Sequence, residues 1–126
     1  MAGKPILVVD DDPLNLEIIK EYLEIYDHQI LTFDNGRAGL DYLETNSDVA
    51  VVLLDRMMPG LSGDEVCRLI KTSPKTRHIP VIFVSARATA DDLLATTEIG
   101  ADDYLAKPFV EQDLITTLSR HLTLSL

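Results

Sequence analysis

The chain has 126 residues, of which 46% are hydrophobic, so it is long and apolar enough for one domain with its own core. Its formal net charge of −10 argues against direct binding to nucleic acid or to an anionic membrane surface. A single cysteine, the lack of a signal-peptide pattern and the lack of a long apolar run predict a soluble cytoplasmic protein without a disulfide.

The first part of the chain alternates short apolar runs with amphipathic stretches. Ile6–Val9 is apolar and β-branched, which predicts a buried strand. Asp12 before Pro13 is typical of a helix start, and an apolar stripe at helical spacing follows. His28–Phe33 predicts a second strand, less buried because it carries polar residues, and Ala38–Leu43 predicts a second helix.

The middle of the chain repeats this alternation. Val49–Leu54 is the most strongly apolar run and predicts the most buried strand. Ser62 and Glu65 form a capping-box pattern that predicts a helix through Ile70. Val81–Val84 then predicts a fourth strand.

The last part completes five strand-and-helix units. Thr89 is a candidate cap for a fourth helix that Gly100 ends, Tyr104–Ala106 predicts a short fifth strand, and Val110–Leu122 predicts the final helix. Continuously apolar strands are buried on both faces, so we expect an α/β fold with a parallel sheet between two helix layers. Periodicity alone does not give the strand order.

Polar side chains follow four of the predicted strands. Asp10 and Asp11 follow the first strand, Asp55 the third, Ser85 the fourth and Lys107 the fifth. In an open α/β sheet, ligands bind at the carboxyl ends of the strands. We therefore expect these side chains to converge on one cleft.

Three neighbouring carboxylates would repel one another, and a divalent cation would remove the repulsion. Oxygen ligands favour Mg²⁺, whereas zinc is disfavoured because the cluster has no cysteine and the histidines are scattered. An aspartate can also accept a phosphoryl group. Asp55 is the best candidate acceptor, and Lys107 and Ser85 can stabilise the phosphoryl oxygens.

Other residues have simpler interpretations. Asp12 fits a helix cap, and Cys67 fits a small apolar residue within a helix. The loop with Lys75, Arg77 and His78 is basic but too small to indicate nucleic-acid binding.

Four segments together resemble the receiver domain of two-component response regulators, with a match from about residue 4 to residue 121. They are Leu7–Asp11, Leu54–Gly60 with Gly63, Val84–Ala86 and Tyr104–Phe109. The resemblance implies a flavodoxin-like (βα)5 fold with strand order 2-1-3-4-5. It also implies that residues 1–126 are a single receiver domain, with no output domain in this chain.

The resemblance implies a role for each residue of the acidic cleft. Asp55 corresponds to the phospho-acceptor. Asp11 corresponds to a direct Mg²⁺ ligand, Asp10 to a ligand acting largely through water, and Met57 to a ligand through its backbone carbonyl. Asp55 would complete this metal site.

The same resemblance assigns the residues that sense the phosphoryl group. Lys107 corresponds to the phosphate-pairing lysine, and its bond to Pro108 is expected to be cis. Ser85 corresponds to the switch hydroxyl and Tyr104 to the aromatic switch residue, which together would repack the face of helix four, strand five and helix five. Met57 and Arg87 occupy positions that flank the phosphate.

The implied activity is signalling rather than metabolic catalysis. The partner would be a sensor histidine kinase or a phosphotransfer protein, with a downstream target or a linked output domain that the sequence does not identify. A phosphorylation-dependent dimer stays open, whereas nucleic acid and membrane are not expected as direct partners.

Two alternatives are weighed against this interpretation. Asp10 and Asp12 after a strand resemble phosphatases of the haloacid dehalogenase class, with Asp10 as nucleophile and Lys107 as the phosphate cation. Pro13 stands where that class would have a glycine, which disfavours the alternative. A receiver-like interaction module that no longer uses phosphate is disfavoured because the set of polar residues is complete.

Overall fold

The structure is a computed structural model that describes residues 3–86 and 90–125, apart from the side chains at 92 and 93. Strands and helices alternate strictly along this part of the chain. They are β1 (Gly3–Val9), α1 (Pro13–Leu23), β2 (His28–Phe33), α2 (Gly36–Thr45), β3 (Val51–Leu54), α3 (Gly63–Thr72), β4 (Val81–Ser85), α4 (Ala90–Ile99), β5 (Asp103–Ala106) and α5 (Glu111–Ser119). No helix in the described ranges is both long and apolar enough to span a bilayer.

The strands form one parallel sheet in the order β2-β1-β3-β4-β5, which confirms the expected fold and strand order. All of β3 and β4 is buried, as is β1 from Ile6 onward, because helices pack on both faces of the sheet. The core consists of two apolar clusters, one on each face. Strand β2 lies at an edge and is only partly buried, as its polar residues predict.

Side-chain caps fix where several helices begin. The Asp12 carboxylate accepts a hydrogen bond from the backbone N–H of Leu14 (3.0 Å), so the predicted cap of α1 is confirmed. The Ser62 hydroxyl accepts from the N–H of Glu65 (3.3 Å), which confirms the start of α3. Each such cap contributes about 1 kcal/mol to stability. The predicted cap at Thr89 lies outside the described residues.

Several boundaries differ from the sequence prediction. Strand β1 begins three residues earlier than predicted, at Gly3, and α2 begins at Gly36 because Asn35 caps it. Strand β3 begins at Val51 rather than at Val49, which is buried but precedes the ladder.

Helix α5 ends at Ser119, three residues before the predicted end. The next two residues leave the helix in a turn and contact Asp103 instead. Its carboxylate lies 3.1 Å from Nε of Arg120 and 2.8 Å from Nε2 of His121. Leu122 still packs on the core from outside the helix, so apolar periodicity continues past the true end.

Candidate functional site

The residues that follow β1, β3 and β5 are anchored to neighbouring strands by backbone hydrogen bonds. The N–H of Asp10 donates to the carbonyl of Phe33 (3.0 Å), and the N–H of Asp55 donates to the carbonyl of Val9 (2.9 Å). The N–H of Lys107 donates to the carbonyl of Ser85 (2.8 Å) in the same way. These bonds hold the candidate site residues at the carboxyl edge of the sheet, as predicted.

The three predicted acidic residues form a cluster at this edge. Asp10, Asp11 and Asp55 each offer a carboxylate oxygen, and these oxygens lie within 4.8 Å of one another. Asp10 and Asp55 are buried and Asp11 is exposed, so the cluster is enclosed by protein on one side and open to solvent on the other. Hard oxygen donors with room for water are the ligand set that Mg²⁺ prefers, so these residues fit a divalent cation.

Asp10 is the most heavily hydrogen-bonded member of the cluster. Its Oδ2 accepts from Nδ2 of Asn15 (2.5 Å) and from Nζ of Lys107 (2.9 Å), and its Oδ1 accepts from the N–H of Asp12 (2.9 Å). These donors compensate for the burial of a charged group. Asn15 was not identified from the sequence; its place in the first turn of α1, five residues after Asp10, is the signal that could have found it.

Lys107 links the two buried carboxylates. Its Nζ lies 2.9 Å from Asp10 Oδ2 and 3.8 Å from Asp55 Oδ2. The ammonium group is therefore closer to Asp10 than to the candidate acceptor. The Lys107–Pro108 peptide bond is cis, as the resemblance implied.

The Asp55 carboxyl is hard to ionise. Burial is the main reason that its pKa rises from 3.8 to about 6, and the negative charge of Asp10 raises the pKa further. Lys107 and the N–H of Met57, which donates to Asp55 Oδ1 (3.2 Å), act in the opposite direction. Without a metal ion, the hydrogen-bond donors and the ammonium group of the protein therefore do not fully balance the negative charge of this site. Such a site favours the binding of a cation.

Ser85 and Tyr104 occupy the adjacent strands. Ser85 ends β4 and is buried, and the pairing of Leu54 with Phe83 places the end of β4 beside Asp55. Tyr104 pairs with Phe83 on the other side of β4. The Tyr104 hydroxyl is buried and has no hydrogen-bond partner among the described residues, although a cavity of about 220 Å³ borders its residue.

The residues around the acidic cluster differ in exposure. The Met57 side chain is 75% exposed, whereas Met58 packs in the core. Cys67 is fully buried, and burial raises the pKa of its thiol to about 11, which confirms it as an inert apolar residue. Arg87 lies outside the described residues.

Gly63 allows α3 to begin directly against the backbone of Asp55. A Cβ atom on Gly63 would lie 2.1 Å from the carbonyl oxygen of Asp55 and 2.6 Å from Cα of Arg56. The Arg56 side chain also pairs with Asp64 in the first turn of α3 (2.8 Å). The sequence marked Gly63 only as part of a motif, because its close approach to Asp55 depends on how α3 packs.

The chain matches the sequence profile of the response regulator receiver domain over residues 6–119. It is 37% identical to the phosphate regulon transcriptional regulatory protein PhoB of Pseudomonas aeruginosa over 119 residues, which is 94% of this chain and 51% of that protein. The chain spans about half the length of the first curated relatives that it matches.

Solved structures agree with this family. The chemotaxis protein CheY4 of Vibrio cholerae is 23% identical to this chain, with a TM-score of 0.89. The match covers 96% of this chain and 100% of the CheY4 chain, and it shows that the two share a fold. The receiver domain of the sensor histidine kinase PA1611 of Pseudomonas aeruginosa is 30% identical with a TM-score of 0.85. That match covers 95% of this chain and 98% of the other, whose structure holds a magnesium ion in its active-site cleft.

The chain belongs to the receiver domain family of two-component response regulators. This is a family of signalling proteins rather than a classical enzyme family.

Proposed function

We propose that this receiver domain accepts a phosphoryl group on Asp55 from a phosphohistidine donor in a Mg²⁺-dependent reaction. The observation that carries the proposal is the packing of Asp10, Asp11 and Asp55 within 4.8 Å, with the Lys107 ammonium beside two of these carboxylates. The fit of the acidic cluster to a hard divalent cation supports the cofactor.

The chemistry uses few protein groups. A carboxylate oxygen of Asp55 attacks phosphorus, the phosphorus–nitrogen bond of the donor breaks, and the imidazole leaves with the bonding electrons. Asp10, Asp11, Asp55 and the Met57 carbonyl would hold Mg²⁺, which would supply positive charge to balance that of the phosphoryl oxygens. Lys107 and the Ser85 hydroxyl stabilise the remaining oxygens.

Exposed apolar side chains around the acidic cluster support a protein donor. Leu14, Met57 and Val110 are 66%, 75% and 62% exposed, and each lies within three residues of Asp11, Asp55 or Lys107. A histidine kinase or a phosphotransfer protein can bury these side chains as it presents its phosphohistidine. We place this transfer in the cytoplasm, and the output can be a separate target, a linked domain or a phosphorylation-dependent dimer.

Intact-mass spectrometry tests the transfer. Incubation with acetyl phosphate and Mg²⁺ is expected to add one phosphoryl group to the wild type and none to Asp55→Asn, and EDTA is expected to suppress the addition. The matched control Asp41→Asn, an exposed carboxylate on α2, should be phosphorylated like the wild type. Equal phosphorylation of Asp55→Asn would contradict the proposal.

The switch half of the proposal concerns Ser85 and Tyr104. A phosphoryl group on Asp55 attracts the Ser85 hydroxyl, and Tyr104 then moves into the space behind it. The Tyr104 hydroxyl supports this step, because it has no partner within the described part of the chain, and a buried hydroxyl without a partner costs roughly 1–3 kcal/mol and so favours a second position.

Replacement of Ser85 by Ala tests this coupling. The variant is expected to keep its phosphorylation by acetyl phosphate but to lose most of the phosphorylation-dependent NMR shifts in α4, β5 and α5. Thr117→Ser, a second buried hydroxyl that lies on α5, serves as the control and should keep these shifts. Equal shifts in Ser85→Ala and the wild type would show that another route carries the signal.

A further inference from the structure

A groove lies between α2 and α3. It has a volume of about 600 Å³, and Leu40, Leu43, Leu69 and Ile70 provide its apolar lining. Leu69 is 47% exposed, so the groove presents an aliphatic side chain to a partner. Because α2 and α3 both run back from the carboxyl edge, their last turns place this groove at the amino edge of the sheet.

The surface beside this groove is basic in an otherwise acidic chain. Residues 66–80 contain four Lys or Arg residues and no Asp or Glu, although the whole chain has a net charge of −10. Two basic residues line the groove directly, Arg37 from α2, which lies 3.9 Å from the Asp41 carboxylate, and Lys75 from the loop after α3. Glu44 also lines the groove, so the excess of positive charge comes mainly from the α3 side.

Only part of this positive charge has an internal partner. Lys71 pairs with Asp102 (2.7 Å) and donates to the carbonyl of Ile79 (2.7 Å), so its role is structural. Lys75 donates to a carbonyl of α2 (3.0 Å) but stays exposed. Arg68 and Arg77 are exposed and form no ion pair within the described part of the chain.

We infer that this groove docks an acidic amphipathic segment of a partner protein. The apolar lining takes leucine-type side chains, and the basic residues on the α3 side pair with carboxylates on the other face of the same segment. A segment fits better than a small molecule, because Arg68 and Arg77 extend the basic surface beyond the residues that line the groove. The docking is separate from phosphoryl transfer, since none of its residues belongs to the acidic cluster.

A synthetic peptide of about 16 residues, with Leu on one helical face and Glu on the other, is the probe. Titration into the ¹⁵N-labelled chain is expected to shift amide signals of α2, α3 and the loop after α3. Asp55→Asn is expected to bind equally well, so failure of phosphoryl transfer and failure of this docking are distinguishable. A peptide with Lys in place of Glu is expected not to bind.

Matched variants distinguish specific docking in the groove from nonspecific binding of the peptide. Leu69→Ser and the pair Lys75→Glu with Arg77→Glu are each expected to weaken binding roughly tenfold or more. Leu94→Ser on α4 and Lys20→Glu on α1, equally exposed changes elsewhere, are expected to leave binding unchanged. Signal shifts outside the groove, equal binding of the Lys peptide, or binding of a single-stranded oligonucleotide in place of the acidic peptide would overturn the inference.

Discussion

The ionisation of Asp55 links the site to the stability of the whole chain. Its pKa in the folded protein is about 6, against 3.8 for a solvated carboxyl, so the folded state holds a proton that the unfolded chain has already released between these values. Stability of the metal-free protein therefore falls as pH rises from about 4 to about 6, and the loss persists at higher pH.

Asp55→Asn is thus expected to stabilise the metal-free protein. At pH 7.5 in EDTA the gain is expected to be about 1–3 kcal/mol, because the variant removes a buried charge while its amide oxygen can still accept from Met57. The gain should shrink towards pH 4, where the wild-type carboxyl is protonated in the folded state and about half protonated in the unfolded chain. Urea denaturation at both pH values measures it, with the exposed Glu17→Gln as control. A destabilised Asp55→Asn at pH 7.5 would contradict this account.

Asp11 and Asp12 are neighbours with different expected roles. Asp11 belongs to the acidic cluster and is exposed, whereas the Asp12 carboxylate caps α1. Asp11→Asn and Asp12→Asn remove the same charge, and Asn preserves the cap at residue 12. Both variants are expected to fold with stabilities within about 0.5 kcal/mol of the wild type.

Mg²⁺ titration, followed by thermal unfolding, then separates these two variants. The rise in Tm with Mg²⁺ is expected in the wild type and in Asp12→Asn and is expected to be strongly reduced in Asp11→Asn. Equal responses of the two variants would argue against Asp11 as a metal ligand.

At the level of residues, the sequence could predict which side chains meet but not how they pair. Polar residues after apolar runs were enough to predict that Asp10, Asp55 and Lys107 share one edge, because parallel strands end together. Lys107 lies closer to Asp10 than to Asp55, and Asn15 donates a hydrogen bond to Asp10. These pairings depend on differences in atomic position of about an ångström, which no sequence pattern encodes.

Among the elements, α3 is the one most tightly coupled to the site. Its first residue, Gly63, lies against the Asp55 backbone, and its N–H donates to the carbonyl of Arg56 (3.1 Å). A side chain at residue 63 would push α3 away from the loop that carries Met57. The start of this helix and the position of the candidate acceptor are therefore fixed together.

Gly63→Ala tests this coupling against Gly39→Ala. Both changes place a methyl group on a helical glycine, but the Cβ at 63 meets backbone at 2.1 Å, whereas the Cβ at 39 meets the Val9 side chain at 2.9 Å. Gly63→Ala is expected to lose more than about 2 kcal/mol of unfolding free energy and Gly39→Ala clearly less. Chemical denaturation measures both values. A Gly63→Ala protein as stable as the wild type would show that α3 can shift freely.

Two of the element boundaries that the sequence placed wrongly have a common cause. Val49 and Leu122 are apolar and contact the core, but neither belongs to a regular element. The β1–β3 ladder starts only where Ile6 pairs with Val51, so Val49 is buried without a strand partner. The hydrophobic pattern indicates which residues are buried. Buried residues also lie beyond the hydrogen-bonded parts of strands and helices, so the pattern does not mark where an element ends.

On the scale of the molecule, the acidic cluster and the groove lie at different places in the fold. The carboxyl edge carries the acidic cluster, and the end of α3 near the amino edge carries the basic residues that flank the groove. Periodicity predicted the alternation of strands and helices, whereas the order β2-β1-β3-β4-β5 came from the family resemblance. Pairing between strands distant in sequence is decided by the packing of the whole sheet.

Hydrogen bonding also distinguishes the two candidate phosphoryl acceptors, Asp10 and Asp55. Asp10 is almost fully buried, and both of its oxygens accept hydrogen bonds, including one from Lys107. Asp55 is the less compensated carboxylate, with one backbone donor and a more distant Lys107. The phosphatase-like alternative needs Asp10 as nucleophile, so the identity of the modified residue decides between the two mechanisms.

The most direct test is to locate the phosphoryl group. The chain is phosphorylated with acetyl phosphate and Mg²⁺, the acyl phosphate is reduced with borohydride, and the modified residue is identified by peptide mass spectrometry. The account predicts reduction at Asp55 alone, with loss of the signal in EDTA. Reduction at Asp10, or a wild-type level of modification that persists in Asp55→Asn, would contradict it.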